Sequence, residues 1–139
     1  MSFELHEQLR KDCHVLGRLD AGYLLLLDNA LVPWFILVPE TDKTEFYQLD
    51  AELQQRVLDG INRVSAWIEE NLEVDKLNVA MIGNKVPQMH IHIIGRRKDD
   101  YCWPGVVWSS SEKVPYSTAA LEEVKTPLLE TLKLEPVSP

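Results

Sequence analysis

The segment Gly83-Asn84-Lys85-Val86-Pro87-Gln88-Met89-His90-Ile91-His92-Ile93-Ile94 decides the reading of this chain. Its second half alternates apolar and polar residues, which predicts a half-buried β-strand over 88–94, ended by Gly95. Successive side chains of a strand point to opposite faces. Gln88, His90, His92 and Ile94 are therefore expected on one face, and Met89, Ile91 and Ile93 on the other. Lining up an amide and two imidazoles on a buried face is costly unless those groups have partners or a task.

Working outward, 77–82 reads as a strand that stops at Gly83-Asn84. The short link to Pro87 makes it an antiparallel neighbour of the histidine strand. Upstream, Leu49, Leu53, Val57, Ile61, Val64, Ile68 and Leu72 recur at spacings of three and four. That pattern predicts a long helix over about 50–72, with Asp50 as its N-cap and the leucine stripe as core. Earlier still, 15–19, 23–28 and 34–38 have strand character, with Asp20-Ala21-Gly22 as a hairpin turn and Pro39 closing the third run. Residues 3–10 are expected to form a short helix and 99–116 an ordered loop. A C-terminal helical segment is expected over 117–134, where Pro127 either kinks the helix or starts a second one behind Thr126. The succession gives an α+β fold, an antiparallel sheet partly covered by helices, as a single domain spanning 1–139.

The 139 residues suffice for a real core, and 45% apolar with 26% charged is ordinary for a globular protein. No apolar run approaches the roughly 20 residues of a membrane span. The opening residues lack a secretory-signal pattern, and Cys13 and Cys102 do not make a disulfide framework, so a reduced, cytoplasmic protein is expected. The net charge of −8 argues against a nucleic-acid duplex as partner. It leaves room for a small anionic substrate, because Lys85, Arg96, Arg97 and Lys98 bracket the histidines.

Three uses of the His-x-His pair compete. It is a familiar metal-ligand pair, but a third ligand is needed, and Gly95, Arg96, Arg97 and Lys98 follow where a cupin-like glutamate would stand. Only tertiary folding of His6, His14 or Cys13 could complete such a site. Alternatively, Gln88, His90 and His92 form a structural polar ladder. Third, an imidazole attacks phosphorus: it is nucleophilic near neutral pH and leaves readily once it carries the adduct.

The segment 83–94 resembles the signature of the histidine-triad (HIT) family, roughly Gly-Gln-x-Val-x-His-φ-His-φ-His-φ-φ with φ apolar. Gly83 and Val86 match, as do Met89, Ile91, Ile93 and Ile94 at the four φ positions. His90 falls on the middle histidine and His92 on the third. Gln88 stands in place of the first histidine and Asn84 in place of a phosphate-contacting glutamine. Arg96 is in keeping with the residues that follow the signature. The run from Leu26 to Pro39 resembles the two strands of the family's nucleotide pocket, with Asn29 at the position of a ribose-binding asparagine. The resemblance covers about 15–97, and the Trp103-Pro104 segment resembles a bacterial branch.

The resemblance implies a HIT-like fold and a hydrolase that works through a nucleotidyl-histidine intermediate. Its substrate would contain AMP, as a dinucleoside polyphosphate or a nucleoside phosphoramidate does. His90 would be the nucleophile, its Nδ1 held by a backbone carbonyl. His92 and Gln88 would assist, and Asn84, Asn29, Lys85 and Arg96 would bind substrate. No metal ligand and no cofactor are required, although a divalent cation can accompany a polyphosphate. A homodimer through a sheet edge is expected. Gln88 cannot shuttle a proton near neutral pH, which bears on the leaving group. The alternatives are a weak or inactive nucleotide-binding module of the same fold and a metal-dependent hydrolase built on the His-x-His pair.

Overall fold

A computed structural model describes residues 3–137. The chain runs α1 (Glu7–Asp12), β1 (Cys13–Arg18), β2 (Gly22–Leu27), β3 (Trp34–Pro39), α2 (Ala51–Asn71), β4 (Lys76–Ala80), β5 (Ile91–Arg96) and α3 (Thr118–Leu132), with 3-10 turns at Phe46–Gln48 and Val107–Ser109. The five strands form one antiparallel sheet in the order β1-β2-β3-β5-β4. The α+β expectation holds. β5 is inserted between β3 and β4, so the residues that follow the histidines are paired on both sides.

α2 forms where the three-and-four spacing requires it. The Asp50 carboxylate accepts the Leu53 N–H at 2.8 Å and caps the first turn. Val57, Gly60, Val64, Trp67 and Ile68 turn inward. They meet Phe35 and Leu37 of β3 and Ile91 and Ile93 of β5 on one face of the sheet. Each fully buried isoleucine contributes about 1.5–3 kcal/mol by leaving water. α3 completes this layer with Leu128 and Leu132. It is one helix: Pro127 lies inside it and no second helix starts at Thr126. Ser117 caps its start, and Lys133 ends it in the left-handed conformation.

The other face carries a second cluster, in which Leu25, Trp34, Ile36, Val38 and Ile94 of the sheet meet Leu5 and Leu9 from the α1 region and Val107 from the 99–116 segment. That segment is ordered, as expected, and contains a cis Trp103–Pro104 bond. Some boundaries differ from the sequence reading. α1 is shorter than 3–10, because His6 accepts the Gln8 N–H and starts the helix at Glu7. β4 ends at Ala80 rather than 82, and β5 begins at Ile91 rather than 88. His90 and Gln88 therefore sit on the lead-in to the strand, outside the ladder.

Candidate active site

β5 holds His92 between two partners, Ile36 of β3 and Ala80 of β4. His90 precedes the strand, yet the alternation continues through it: Met89 is buried with Ile91 and Ile93 in the α2-side core. His90 and His92 share the opposite face, their ring centroids 4.9 Å apart at an interplanar angle of 66°. They are 8% and 7% exposed. Trp108 meets His92 edge to face at 5.3 Å, and Trp34 does so at 5.8 Å.

Two hydrogen bonds set the tautomers. Nδ1 of His90 lies 2.7 Å from the Gln88 carbonyl oxygen. A carbonyl only accepts, so Nδ1 carries the hydrogen and the neutral ring keeps its lone pair at Nε2. At His92 the relation is reversed. The indole N–H of Trp34 donates to Nδ1 of His92 at 2.9 Å. An indole N–H only donates, so Nδ1 is bare and the hydrogen of the neutral ring sits at Nε2. Burial, and then the neighbouring His90, push the His92 pKa down to about 4. His92 is a neutral N–H donor at pH 7. The pair thus combines one bare nitrogen with one donor, each ring fixed from behind.

Gln88 is not on the histidine face with its side chain free, as the alternation implied. Its amide is turned to the N-terminal segment, where Oε1 accepts the His6 N–H at 2.8 Å and Nε2 donates to the Glu4 carbonyl at 2.9 Å. The strand had not yet begun at Gln88, so its direction is set by those two backbone groups. Arg96 also departs from expectation. It is 1% exposed, and its guanidinium donates to Asp100, Asn78 and the Gly105 carbonyl. It anchors the 97–105 loop. The ion pair explains why Asp100 is held down to about 2. Asn29 is likewise spent on the fold: it is 3% exposed, and its Oδ1 accepts the N–H groups of Leu31 and Val114 at 3.2 Å each. Asn84 and Lys85 are exposed on the linker from β4 to β5, and neither side chain has a hydrogen-bond or ion-pair partner among the described residues.

Trp34, which the sequence places only within a strand over 34–38, joins the site through its bond to His92. The available signal was weak: a buried tryptophan needs a partner for its N–H, and Trp34 lies on a strand of otherwise apolar residues. Among the described residues, no three His, Cys, Asp or Glu side chains converge on a metal-sized site. His14 is paired with Asp28 at 2.9 Å, His6 caps α1, and the buried Cys13 thiol is pushed up to about 12.

The match to known proteins falls on this same frame. The family model described as the HIT domain matches residues 8–99. The chain belongs to the HIT-domain family. A histidine triad protein from Bradyrhizobium japonicum superposes with a TM-score of 0.91 at 34% identity, over 95% of this chain and 99% of that one. One from Marinobacter aquaeolei VT8 gives 0.91 at 40% identity, over 96% and 98%. A third, from Sinorhizobium meliloti 1021, gives 0.90 at 30% identity, over 94% and 97%. The C-terminal part of this HIT protein, beyond the family model, is thus shared with solved relatives. No curated protein sequence matches the chain. No helix among the described residues is long and apolar enough to cross a membrane.

Proposed function

We propose that this HIT protein hydrolyses AMP-containing nucleotides through a covalent nucleotidyl intermediate on His90. The observation that carries the reading is the 2.7 Å contact from His90 Nδ1 to the Gln88 carbonyl, which leaves Nε2 as the bare, attacking nitrogen. Nε2 bonds to the α-phosphorus, the bond to the leaving group breaks, and the leaving group takes the electron pair. The imidazolium so formed keeps its Nδ1–H on the Gln88 carbonyl, which stabilises the charge. His92 offers its Nε2–H to a non-bridging oxygen. Water then attacks phosphorus, the P–N bond returns its electrons to His90, and the water's proton passes to solvent.

The substrate class follows from what the site lacks. Gln88 has no titratable proton, and His92 is a neutral imidazole at pH 7. A positioned general acid is worth roughly 10²–10⁴-fold for a basic leaving group. Without one at either position, a leaving group that departs as an anion is favoured, such as the phosphate end of a dinucleoside polyphosphate. A nucleoside phosphoramidate is the poorer substrate. The exposed Lys85 and Asn84, without partners among the described residues, suit a polyanion entering along the linker. The reaction calls for no cofactor, and a divalent cation arriving with a polyphosphate is compatible with it. The free Cys13 and Cys102 accord with a reducing, cytoplasmic setting. Edge strand β4, with Val79 exposed on it and Met81 and Ile82 just beyond, is the surface on which a homodimer would form.

Single-turnover mixing with a diadenosine polyphosphate tests the reading. AMP release, an acid-labile adduct on His90, and loss of both in His90→Ala are expected. Nucleotide binding without adduct or AMP sinks the hydrolase and leaves a binding module. Turnover abolished by a chelator, again with no adduct, makes it a metal enzyme.

A further inference from the structure

We propose that Trp34 is a positioning residue of this site: its indole N–H selects the tautomer and the orientation of His92 that present an N–H toward the phosphoryl group. The consequence for catalysis rests on the reading of His90 as nucleophile; the tautomer does not.

The geometry gives Trp34 this role through register. Trp34 pairs with Ile94 and Ile36 pairs with His92, so Trp34 and His92 are diagonal neighbours on one face of the β3–β5 ladder. A diagonal pair is within reach of an aromatic side chain. The indole plane stands at 68° to the imidazole, edge on, and its N–H meets Nδ1 at 2.9 Å. An imidazole ring has two broad orientations about its second side-chain torsion, and only the tautomer with bare Nδ1 makes this bond. The bond therefore chooses both. Trp108 supplies the contrast. It packs edge to face on the same imidazole and on Trp34, but its own indole nitrogen has no hydrogen-bond partner. It fills space around His92 without selecting anything. The groups facing His92 are His90 from its own segment, Trp34 and Ile36 from β3, Ala80 from β4 and Trp108 from the 99–116 segment; apart from His90 none carries an ionisable side chain.

Nitrogen-resolved NMR of the histidine rings in the full-length protein decides the matter. The wild type is expected to show His92 at pH 7 as a single tautomer with hydrogen on Nε2. Trp34→Phe keeps an aromatic ring but removes the donor, and is expected to show mixed tautomers and a His92 that protonates at higher pH. Trp108→Phe, which removes a neighbouring indole without touching the bond, is expected to keep the single tautomer. Hydrogen on Nδ1 in the wild type overturns the proposal even if no variant folds, and so does an unchanged His92 spectrum in folded Trp34→Phe. In turnover of a diadenosine polyphosphate, Trp34→Phe is expected to lower kcat by roughly tenfold with little change in KM, because a misaimed donor costs mainly in the transition state. If the wild type shows the stated tautomer but releases no AMP, the hydrolase reading falls and the role of Trp34 in holding His92 stands.

Discussion

Acid should weaken this fold through His92 before any carboxylate contributes. In the unfolded chain residue 92 takes up a proton near its ordinary value of 6.5, whereas in the folded chain it stays neutral down to about 4. Between those values the unfolded state binds more protons than the native state. Stability therefore falls as pH is lowered through this window and rises as pH is raised. At one pH unit per 1.36 kcal/mol, moving from pH 7 to 4.5 costs about 2 kcal/mol. The groups with depressed carboxyl values do not confuse the measurement. Asp100, held to about 2 by Arg96, and Asp28, lowered by the Tyr116 N–H and by His14, start to matter only near and below their ordinary value of 3.8. Cys13 and Tyr116, both raised to about 12, are silent at these pH values.

The assay is urea unfolding at pH 7 and 4.5 of the wild type and of His92→Asn. Asparagine cannot titrate, and its Oδ1 can still accept the Trp34 N–H. The wild type is expected to lose about 2 kcal/mol more than the variant over this interval. Equal losses in the two proteins would refute the reasoning, since they would mean that His92 is not held neutral by its surroundings.

Three further perturbations probe other parts of the frame. Arg96→Met leaves the 4%-exposed Asp100 carboxylate without its cation and is expected to cost about 3–5 kcal/mol in urea unfolding; a loss under about 1 kcal/mol would show that the pair does not anchor the 97–105 loop. Gly95→Ala puts a Cβ 2.6 Å from Val74 Cγ1 and 3.0 Å from Ile68 Cγ2, an overpacking expected to cost about 1–3 kcal/mol, and an unchanged midpoint would contradict the tight seat of β5 against α2 and the segment after it. Gln88→Ala removes both side-chain bonds to the N-terminal segment but keeps the carbonyl behind His90; faster hydrogen exchange at the His6 amide is expected, and undiminished protection there would dismiss the clamp.

Which parts were legible follows from how far apart the interacting residues lie in sequence. α2 was readable because its inward residues repeat every three or four positions and its cap lies three residues from its partner N–H. The side-chain alternation through His90 and His92 was readable for the same reason, since a period of two is local. Gln88 was not, because its partners are 82 and 84 residues away, and nothing near it announces them. Trp34 reaches His92 across 58 residues, through a pairing of β3 with β5 that jumps over α2 and β4. Arg96 was misread for the opposite reason. Its partner Asp100 is only four residues on, but a cation beside a histidine motif suggests a phosphate until the loop is seen to fold back over it.

Gln88 sets the sharpest test of the proposed reaction, because the structure separates two properties of that position. One is a side chain that could move a proton; glutamine lacks it, and here the amide is further committed to Glu4 and His6. The other is a backbone carbonyl aimed at Nδ1 of His90, the proposed nucleophile, which any residue supplies and which lies here at 2.7 Å. Glutamine at 88 therefore offers no proton route, while the carbonyl behind it keeps the tautomer of His90. A loss confined to the proton route predicts an uneven defect: little for leaving groups that depart as anions, and the full general-acid factor of roughly 10²–10⁴ for those that must be protonated. Comparing AMP release from a dinucleoside polyphosphate and from an alkyl phosphoramidate, in the wild type and in Gln88→His, measures that unevenness directly. Histidine at 88 should raise the second rate far more than the first. Equal gains on both substrates would mean that residue 88 acts on the nucleophile after all, and that the carbonyl is not sufficient to set it.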